Sequence, residues 1–145
     1  GVGAYLTGVL STVFTYKLPH FTIEIDEEKT IETEAFTVVI TSTGQLGYNI
    51  EFTKNSIIND GKFEVTIVKN FDRSKVPGLV YECFYGDIAN QEMLETHRVN
   101  KILKIKTNKI ESIQMDGDYK GKSNYIEVIC KKEALNFLVD KDFNL

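Results

Sequence analysis

The chain has 145 residues, of which 42% are hydrophobic, and this is enough apolar material for one domain with its own core. A net charge of -4 and a pI near 5.2 exclude nucleic-acid binding through a broad basic surface, because that mode neutralises many phosphates.

The two cysteines, Cys83 and Cys130, and the two histidines, His20 and His97, lack the spacing of zinc or redox sites. Free thiols in a reducing cytoplasm are therefore favoured over a disulfide, and no apolar run approaches the roughly 20 residues of a membrane span.

The first segment, GVGAYLTGVLSTVFTY, predicts a helix. Leu6, Val9, Leu10 and Val13 recur with the spacing of one helical face, although Gly8 lowers the helix propensity. The chain has no initiator methionine and enters this pattern almost at once, so we expect it to be a piece of a longer protein.

Apolar runs predict strands along the middle of the chain. HFTIEID alternates, with Phe21, Ile23 and Ile25 on one side, as in a half-buried strand. ETEAFTVVITST contains the continuous run 38–40, which is typical of a central strand covered on both faces. LGYNIEF and KFEVTIV predict two further strands, with turn residues at 59–61 between them.

The pattern changes period in VPGLVYECFYGDI. Leu79, Val80, Cys83 and Phe84 fall on one helical stripe, and Pro77 suits a first helical turn. This predicts a crossover helix, for which an extension through ANQEMLE stays open.

The two-residue period returns in the last third of the chain. RVNKILKIKT, KIESIQM, NYIEVIC and ALNFLVD predict strands, separated by turns at NKI, DGDYKGKS and KKE. Runs of strands with hairpin-length connections and one or two helices predict a mainly β, α+β fold, an antiparallel β-sandwich with a small helical element. A parallel sheet would need more crossover helices. We expect residues 1–145 to form a single domain.

Two acidic turns are the candidates for chemistry. Asp60 and Gly61 precede a strand, and Asp116 and Asp118 flank Gly117. The residues themselves favour ordinary hairpin turns at both places. As sites, the first turn would suit a hard cation such as Mg²⁺, held by one carboxylate and turn carbonyls. The second would place a carboxylate that accepts a proton beside one that orients it or meets a metal.

Taken in order, these motifs resemble the C-terminal half of the bacterial diacylglycerol-kinase-like lipid kinases, which share a catalytic core with sphingosine and ceramide kinases. GAYLTGVL before HFTIEID is similar to the family's G-x-x-A-Y helix and strand, and LGYNIEF to its Y-G-G-G or Y-G-x-N stretch. Residues 56–68 are similar to A-x-x-x-D-G-x-x-x-v-x-i-v, and residues 115–118 to v-D-G-E. Each motif is weak alone, but the ordered set covers nearly the whole chain.

The resemblance implies a reaction and its residues. The parent protein would transfer the γ-phosphate of ATP to a lipid hydroxyl, first of all diacylglycerol, with Asp118 as general base and Asp116 orienting it or a metal. A structural Mg²⁺ would be held by the Asp60 carboxylate and by backbone oxygens of Ile57 and Lys62. ATP would be bound mainly by an N-terminal domain with a GGDGT-type loop, and this sequence contains no such loop. We therefore expect the chain alone to be inactive.

Three positions depart from the family's pattern. Asp118 stands where the family has Glu, Ser42 where many members have Asn, and Lys54 where many have Pro. An Asp side chain is one methylene shorter than Glu, and a displacement of roughly 1 Å at a reacting group can cost about 100-fold in rate.

The partners follow from the same resemblance. We expect a cytoplasmic protein that meets the inner membrane surface transiently, binds a lipid substrate and contacts the N-terminal kinase domain of its own parent. Nucleic acid is not expected, whereas an exposed apolar face that once met the N-terminal domain could support homo-oligomers. Two alternatives stay open: a catalytically inactive β-sandwich that binds a lipid or protein partner, and a kinase that acts on a sphingoid base, another lipid or a small polyol.

Overall fold

The computed structural model describes residues 13–47, 50–51, 53, 56–57, 60–85, 88–132 and 134. Most of these residues lie in strands. In chain order the elements are β1 (His20–Ile25), β2 (Lys29–Thr41), β3 (Gln45–Gly47), β4 (Ile50–Glu51), β5 (Phe63–Lys69), α1 (Val76–Tyr85), β6 (Leu94–Val99), β7 (Ile102–Met115) and β8 (Asp118–Ile129). Short 3-10 helices cover Arg73–Lys75 and Ile88–Asn90.

Every strand pair among the described residues is antiparallel. Six strands form one sheet in the order β6-β5-β2-β1-β7-β8, while β3 and β4 form a separate pair. The strand with the continuous apolar run, β2, lies inside this sheet as predicted, but residues 38–40 are only partly buried, so the predicted cover on both faces is wrong. The predicted fold class, a mainly β sandwich-like domain with small helical elements, is confirmed.

Strand β2 belongs to two halves of the sheet. Its residues 29–34 pair with β1, whereas residues 35–41 pair with β5, and the register slips between Ala35 and Thr37. A bulge of this kind bends a strand and increases its twist. The bend lets the β1-β7-β8 half and the β5-β6 half curl toward each other, as strands do at the corners of sandwiches.

The core lies between these two halves. Ile23 and Leu103 come from the first half, and Val65, Ile67 and Val99 come from the second, and all five are fully buried. Burying an aliphatic side chain of this size contributes about 1.5–3 kcal/mol. The curl of the sheet is therefore what allows the two halves to bury one common core.

A hydrogen-bonded corner joins β6 to β7. Oδ1 of Asp26 accepts from the backbone N–H groups of Lys101 and Ile102 at 2.7 and 3.0 Å. Its Oδ2 accepts from the backbone N–H and from Nδ2 of Asn100 at 2.9 and 2.8 Å. Partial burial alone would raise the pKa of Asp26, but these hydrogen bonds outweigh it and hold the pKa at about 2.

Two predictions about the helices can be compared with the structure. The predicted helix is confirmed as α1, but it is not a crossover, because it connects β5 and β6, which are adjacent antiparallel strands. Its extension through ANQEMLE is also wrong, because a 3-10 helix covers Ile88–Asn90 and β6 begins at Leu94. Of the predicted N-terminal helix, residues 13–15 are helical and the remainder lies outside the described residues. In the part of the chain that the structure describes, no helix is long and apolar enough to cross a bilayer.

The predicted strand boundaries of the last third need three corrections. RVNKILKIKT is not one strand, because the Asp26 corner interrupts it at Asn100 and Lys101. NKI is not a turn but a register irregularity inside β7, where the strand keeps its partner β8. DGDYKGKS contributes only two turn residues, since β8 already begins at Asp118. KKE is described through Lys132 and follows β8, while ALNFLVD lies outside the described residues except for Ala134.

Replacing Asp26 with Asn tests the corner, because Asn tolerates the same positive φ but loses the charge and one acceptor oxygen. We expect the free energy of unfolding at pH 7 to fall by about 1–2 kcal/mol, a figure that allows for the partial exposure of the site. The folded pKa lies below the unfolded value of 3.8, so this stability is present above pH 3.8 and is lost as the pH falls toward 2.

Urea unfolding of the wild type and of Asp26→Asn at pH 7 and pH 3 measures both effects. The difference between the two proteins should shrink at pH 3. The matched control is Glu34→Gln, which neutralises an exposed carboxylate and should change stability little at either pH. An Asp26→Asn variant as stable as Glu34→Gln at pH 7 would contradict the assigned role.

Candidate functional site

The Asp116–Gly117 pair forms a two-residue hairpin turn. Met115 and Asp118 are paired across it, and φ is +50° at Asp116 and +90° at Gly117. Two positive φ values are what a type I′ turn requires, and Asp and Gly are residues that tolerate them. As structure, the turn is thus the ordinary one that its sequence favours.

The carboxylates at this turn are exposed to water. The side chain of Asp118 is 78% exposed and lies 3.3 Å from Nζ of Lys120. Asp116, at the turn itself, is also exposed. An exposed carboxylate can accept a proton, but it has no dry environment until another surface covers it.

The turn lies at the end of a long arm. Strand β1 pairs only with residues 103–107 of β7, so residues 108–115 and the facing part of β8 extend past it. Three large apolar side chains on this arm are more than half exposed: Ile110, Met115 and Tyr119. The hairpin arm, defined here as residues 108–125, therefore presents the two acids beside apolar side chains.

Tyr16 ties the arm to the rest of the domain. Its hydroxyl donates to Oε2 of Glu111 at 2.9 Å. Burial, together with this hydrogen bond and the negative charge of Glu111, raises the pKa of Tyr16 to about 12. Nearby, the backbone N–H of His20 donates to Oδ1 of Asn108 at 3.0 Å, and Nζ of Lys109 donates to the Lys17 carbonyl at 2.6 Å.

An aromatic and cationic cluster supports Tyr16 from behind. The Tyr16 ring stacks on Phe36 with centroids 6.5 Å apart, and Phe36 contacts Phe71 at 4.9 Å. Arg73 donates from Nη1 to the Phe14 carbonyl at 2.6 Å and from Nη2 to the Tyr16 carbonyl at 3.0 Å. Phe36 stands at the bulge of β2, so the bend of the sheet and the base of the hairpin arm share one cluster.

The second acidic turn is held more tightly. Oδ1 of Asp60 accepts from the Lys62 backbone N–H at 2.9 Å, and the Ile57 carbonyl accepts from the Asp60 N–H at 3.4 Å. Sγ of Cys130 donates to the Gly61 carbonyl at 2.8 Å. Gly61 has a φ of +72°, and a Cβ there would lie 2.6 Å from Cγ of Lys132, so the position needs glycine.

One carboxylate oxygen at this turn is buried but not fully paired. Oδ2 of Asp60 makes no hydrogen bond to any residue that the structure describes. Oδ2 nevertheless lies 3.1 Å from Nη2 of Arg98, which is close enough for an ion pair. Among the described residues, no group of three or more His, Cys, Asp and Glu side chains could hold a metal ion. A cation here would thus depend on one carboxylate and on backbone oxygens, as the sequence resemblance implies.

The structure does not bring the two acidic turns together. The Asp60 turn contacts Cys130, just after the last residue of β8, whereas Asp118 is the first residue of the same strand. The strand has 12 residues, and at about 3.3 Å per residue the two turns are roughly 35 Å apart. Asp60 and Asp118 therefore cannot act on the same reacting atoms.

The other polar candidates take structural positions. His20 pairs with Glu32 at 2.6 Å on an exposed surface. His97 lies inside β6, 2.6 Å from Oε1 of Glu95, and its Nδ1 is 3.3 Å from Nζ of Lys29. Cys130 is a free thiol, as predicted.

The family of the chain follows from a match over nearly its whole length. The model of the YegS C-terminal NAD kinase beta sandwich-like domain matches residues 1–139. The chain belongs to this family. This YegS C-terminal domain has the sandwich-like fold described above, so the family predicted from the ordered motifs is confirmed.

Solved structures share the fold of this YegS C-terminal domain. Three structures from Bacillus anthracis str. Sterne are similar to it, with TM-scores of 0.64, 0.62 and 0.63 and identities of 18, 19 and 19%. Two are described as a "putative diacylglycerol kinase" and the third as "diacylglycerol kinases". The similarity covers 88, 84 and 89% of this chain but only 43, 41 and 43% of theirs, so the chain spans less than half of their length. No curated protein matches the chain.

Sequence reasoning missed several residues that position the candidate sites. Tyr16, Arg73 and Glu111 hold the hairpin arm, and Arg98 lies against Asp60. Their partners are 38 or more positions away along the chain, so no local motif marks them. Glu64 and Arg98 have opposite charges and face each other across β5 and β6. This pairing could have pointed to Arg98, but only after the register of the two strands was known.

Replacing Tyr16 with Phe removes the hydroxyl that donates to Glu111 and keeps the ring in its cluster. We expect the free energy of unfolding at pH 7 to fall by about 0.5–1.5 kcal/mol. The folded pKa of about 12 lies above the unfolded value of 10, so the Tyr16 contribution is full below pH 10 and is lost as the pH rises toward 12.

Denaturant unfolding at pH 7 and pH 10.5 measures this effect, with Tyr81→Phe as the control. The Tyr81 side chain is 61% exposed, and its ring contact with Tyr85 survives in Phe. Hydrogen exchange of residues 108–125 should also quicken in Tyr16→Phe alone. If both variants behave alike, the tie between Tyr16 and the hairpin arm is refuted.

Proposed function

We propose that the chain is the acceptor-side domain of a lipid kinase that transfers the γ-phosphate of ATP to a lipid hydroxyl, with diacylglycerol as the acceptor. The observation that carries this proposal is the family match over residues 1–139, together with structures of similar fold that are described as diacylglycerol kinases. Because the chain spans less than half of those structures, ATP would be bound mainly by a preceding domain of the parent protein. The chain alone would then be inactive.

In this proposal the acidic turn of the hairpin arm meets the lipid hydroxyl. Asp118 would accept the hydroxyl proton as the oxygen attacks the γ-phosphorus, and Asp116 would orient the base or a metal. Asp118 is 78% exposed, so the dry, positively charged surroundings that phosphoryl transfer needs would come from the nucleotide-binding domain and the lipid. In such a reaction the main contribution of this domain would be to position the base, and the Tyr16 cluster contributes to this by holding the hairpin arm.

The Asp60 turn is the candidate site for a hard cation. Within the described residues, Oδ2 of Asp60 is buried and makes no hydrogen bond, and the Ile57 carbonyl makes only a long one. We therefore propose that Asp60, with backbone oxygens of Ile57 and Lys62, holds Mg²⁺. The ion would neutralise the carboxylate and brace the turn. Its distance from Asp118 makes this a structural role.

The exposed apolar side chains beside the two acids indicate where partners would bind. Ile110, Met115 and Tyr119 are exposed on the hairpin arm and would contact the N-terminal domain, a second copy or the membrane surface. A cytoplasmic protein that is peripheral at the inner membrane is consistent with a lipid acceptor. The alternative function, an inactive sandwich that binds a lipid or protein, is favoured by the Asp at the family's Glu position.

Changing Asp118 in the intact parent tests the reaction. Asp118→Asn should lower turnover by about 100-fold or more, since a positioned base contributes that much. Its melting temperature should stay unchanged, because the side chain is exposed at the tip of the arm. Labelled-ATP phosphotransfer to diacylglycerol in mixed micelles is the measurement, and Asp118→Glu, which restores the family's residue, is the control expected to stay active.

Full turnover in Asp118→Asn would remove the assignment of the base. A parent that phosphorylates a sphingoid base or a polyol instead of diacylglycerol would change the acceptor and keep the mechanism. A parent that phosphorylates none of them would favour the binding domain.

Melting the chain with and without Mg²⁺ tests the cation site. At a Mg²⁺ concentration of ten times Kd, binding should stabilise the chain by about 1.4 kcal/mol, which corresponds to roughly 3–6 °C. Asp60→Asn should melt at the same temperature in Mg²⁺ and in EDTA. A wild type whose melting temperature ignores Mg²⁺ would refute the site.

A further inference from the structure

One guanidinium bridges two carboxylates beside the Asp60 turn. Glu64 of β5 and Arg98 of β6 lie directly opposite each other in the antiparallel register. Nε of Arg98 is 3.5 Å from Oε1 of Glu64, and its Nη2 is 3.1 Å from Oδ2 of Asp60. The three charges sum to -1, so the positive charge of Arg98 neutralises only one of the two carboxylates.

Burial makes this bridge important. The side chain of Glu64 is 7% exposed and that of Asp60 is 19% exposed, so water screens them weakly. Two carboxylates removed from water need a positive charge nearby, because otherwise their desolvation destabilises the fold. Arg98 supplies that charge from the neighbouring strand.

The bridge leaves one oxygen atom at the turn incompletely paired. Oδ2 of Asp60 lies near the guanidinium but makes no hydrogen bond with it. A guanidinium is planar and is fixed to its strand, so it can approach Oδ2 without meeting the directional needs of the oxygen. A small cation has no such directional constraint and can be reached by several oxygens at once.

We propose that Arg98 is a built-in counter-charge that competes with a divalent cation for Oδ2 of Asp60. This proposal rests on the cation site proposed above but not on kinase activity. A cation that approaches Oδ2 is repelled by the guanidinium, which must withdraw toward Glu64 for the cation to bind. Glu64 keeps Arg98 paired in both states, while binding of the divalent cation changes the summed charge of the cluster from -1 to +1.

The charges predict opposite effects for two substitutions. Arg98→Met removes the competing charge, raises the local charge to -2 and should lower the Kd for Mg²⁺ about tenfold. Glu64→Gln leaves the whole positive charge of Arg98 for Asp60, brings the local charge to zero and should raise that Kd by a similar factor. Arg98→Lys keeps the positive charge and should change the Kd less than about threefold.

Calorimetric titration of MgCl₂ into the purified chain at constant ionic strength measures these affinities. Melting curves in EDTA and in Mg²⁺ give a second readout: Arg98→Met should melt lowest in EDTA and gain most from Mg²⁺. Asp60→Asn combined with Arg98→Met is the matched control, since it removes the proposed cation ligand and should not respond to Mg²⁺.

Equal Mg²⁺ affinities in the wild type, Arg98→Met and Glu64→Gln would overturn the competition and leave the cation site in place. The reverse order of affinities would overturn it as well. No Mg²⁺ binding in any variant would overturn both the competition and the cation site, whereas the phosphotransfer proposal is tested separately. If Arg98→Met does not fold in EDTA, the comparison of Glu64→Gln with the wild type decides, because that variant keeps the Arg98 charge beside Asp60.

Discussion

The Asp26 carboxylate closes the corner on which the sandwich depends. The fully buried residues come from two halves of one curled sheet, and β6 of one half continues into β7 of the other at Asn100 and Lys101. At such a corner the backbone N–H groups point away from any ladder partner and would be costly if left unpaired. Asp26 accepts four hydrogen bonds there, and its positive φ of 53° belongs to the hairpin turn between β1 and β2, which it forms with Glu27. Hydrogen bonds to a charged acceptor are strong enough to offset that local strain.

The position of the hairpin arm follows from this corner. Strand β7 begins at Ile102, whose N–H and carbonyl are both bonded to Asp26, so the corner fixes the start and the direction of the strand. Because β7 has 14 residues, a small change in its direction at Ile102 would displace the turn at its other end by a larger distance. The Tyr16 hydrogen bond to Glu111 holds the β7 side of the arm near its middle and limits this displacement. The position of the exposed acids thus depends on two polar contacts, the Asp26 corner at the start of β7 and the Tyr16 hydrogen bond to Glu111.

The sequence was informative wherever local pattern and burial coincide. The alternation at Phe21, Ile23 and Ile25 predicts β1 because the same three side chains face the core. The Asp-Gly pair at residues 116 and 117 predicts its turn because the positive φ values are a local requirement. The family was likewise readable, because its motifs follow one another in the same order.

The sequence was uninformative wherever a long-range partner decides. RVNKILKIKT reads as one alternating strand, and only Asp26, 74 positions earlier than Asn100, breaks it. NKI reads as a turn, but pairing with β8 carries the strand through it with a slipped register. The same holds at the Asp60 turn, which Arg98 approaches from another strand. Pairing of this kind depends on the register of the whole sheet, which no local motif specifies.

The separation of the two acidic turns limits what each can do. Phosphoryl transfer needs its base and its charge-neutralising groups within a few ångströms of the phosphorus. The Asp60 turn is roughly 35 Å from Asp118 along β8, so it can affect the reaction only through the fold. Cys130 and Lys132, just beyond the end of β8, pack on Gly61 and so connect the turn to this strand. A braced turn would fix the end of β8 that lies opposite the exposed acids, while the Tyr16 contact to Glu111 on the paired strand β7 supports the hairpin arm nearer its tip.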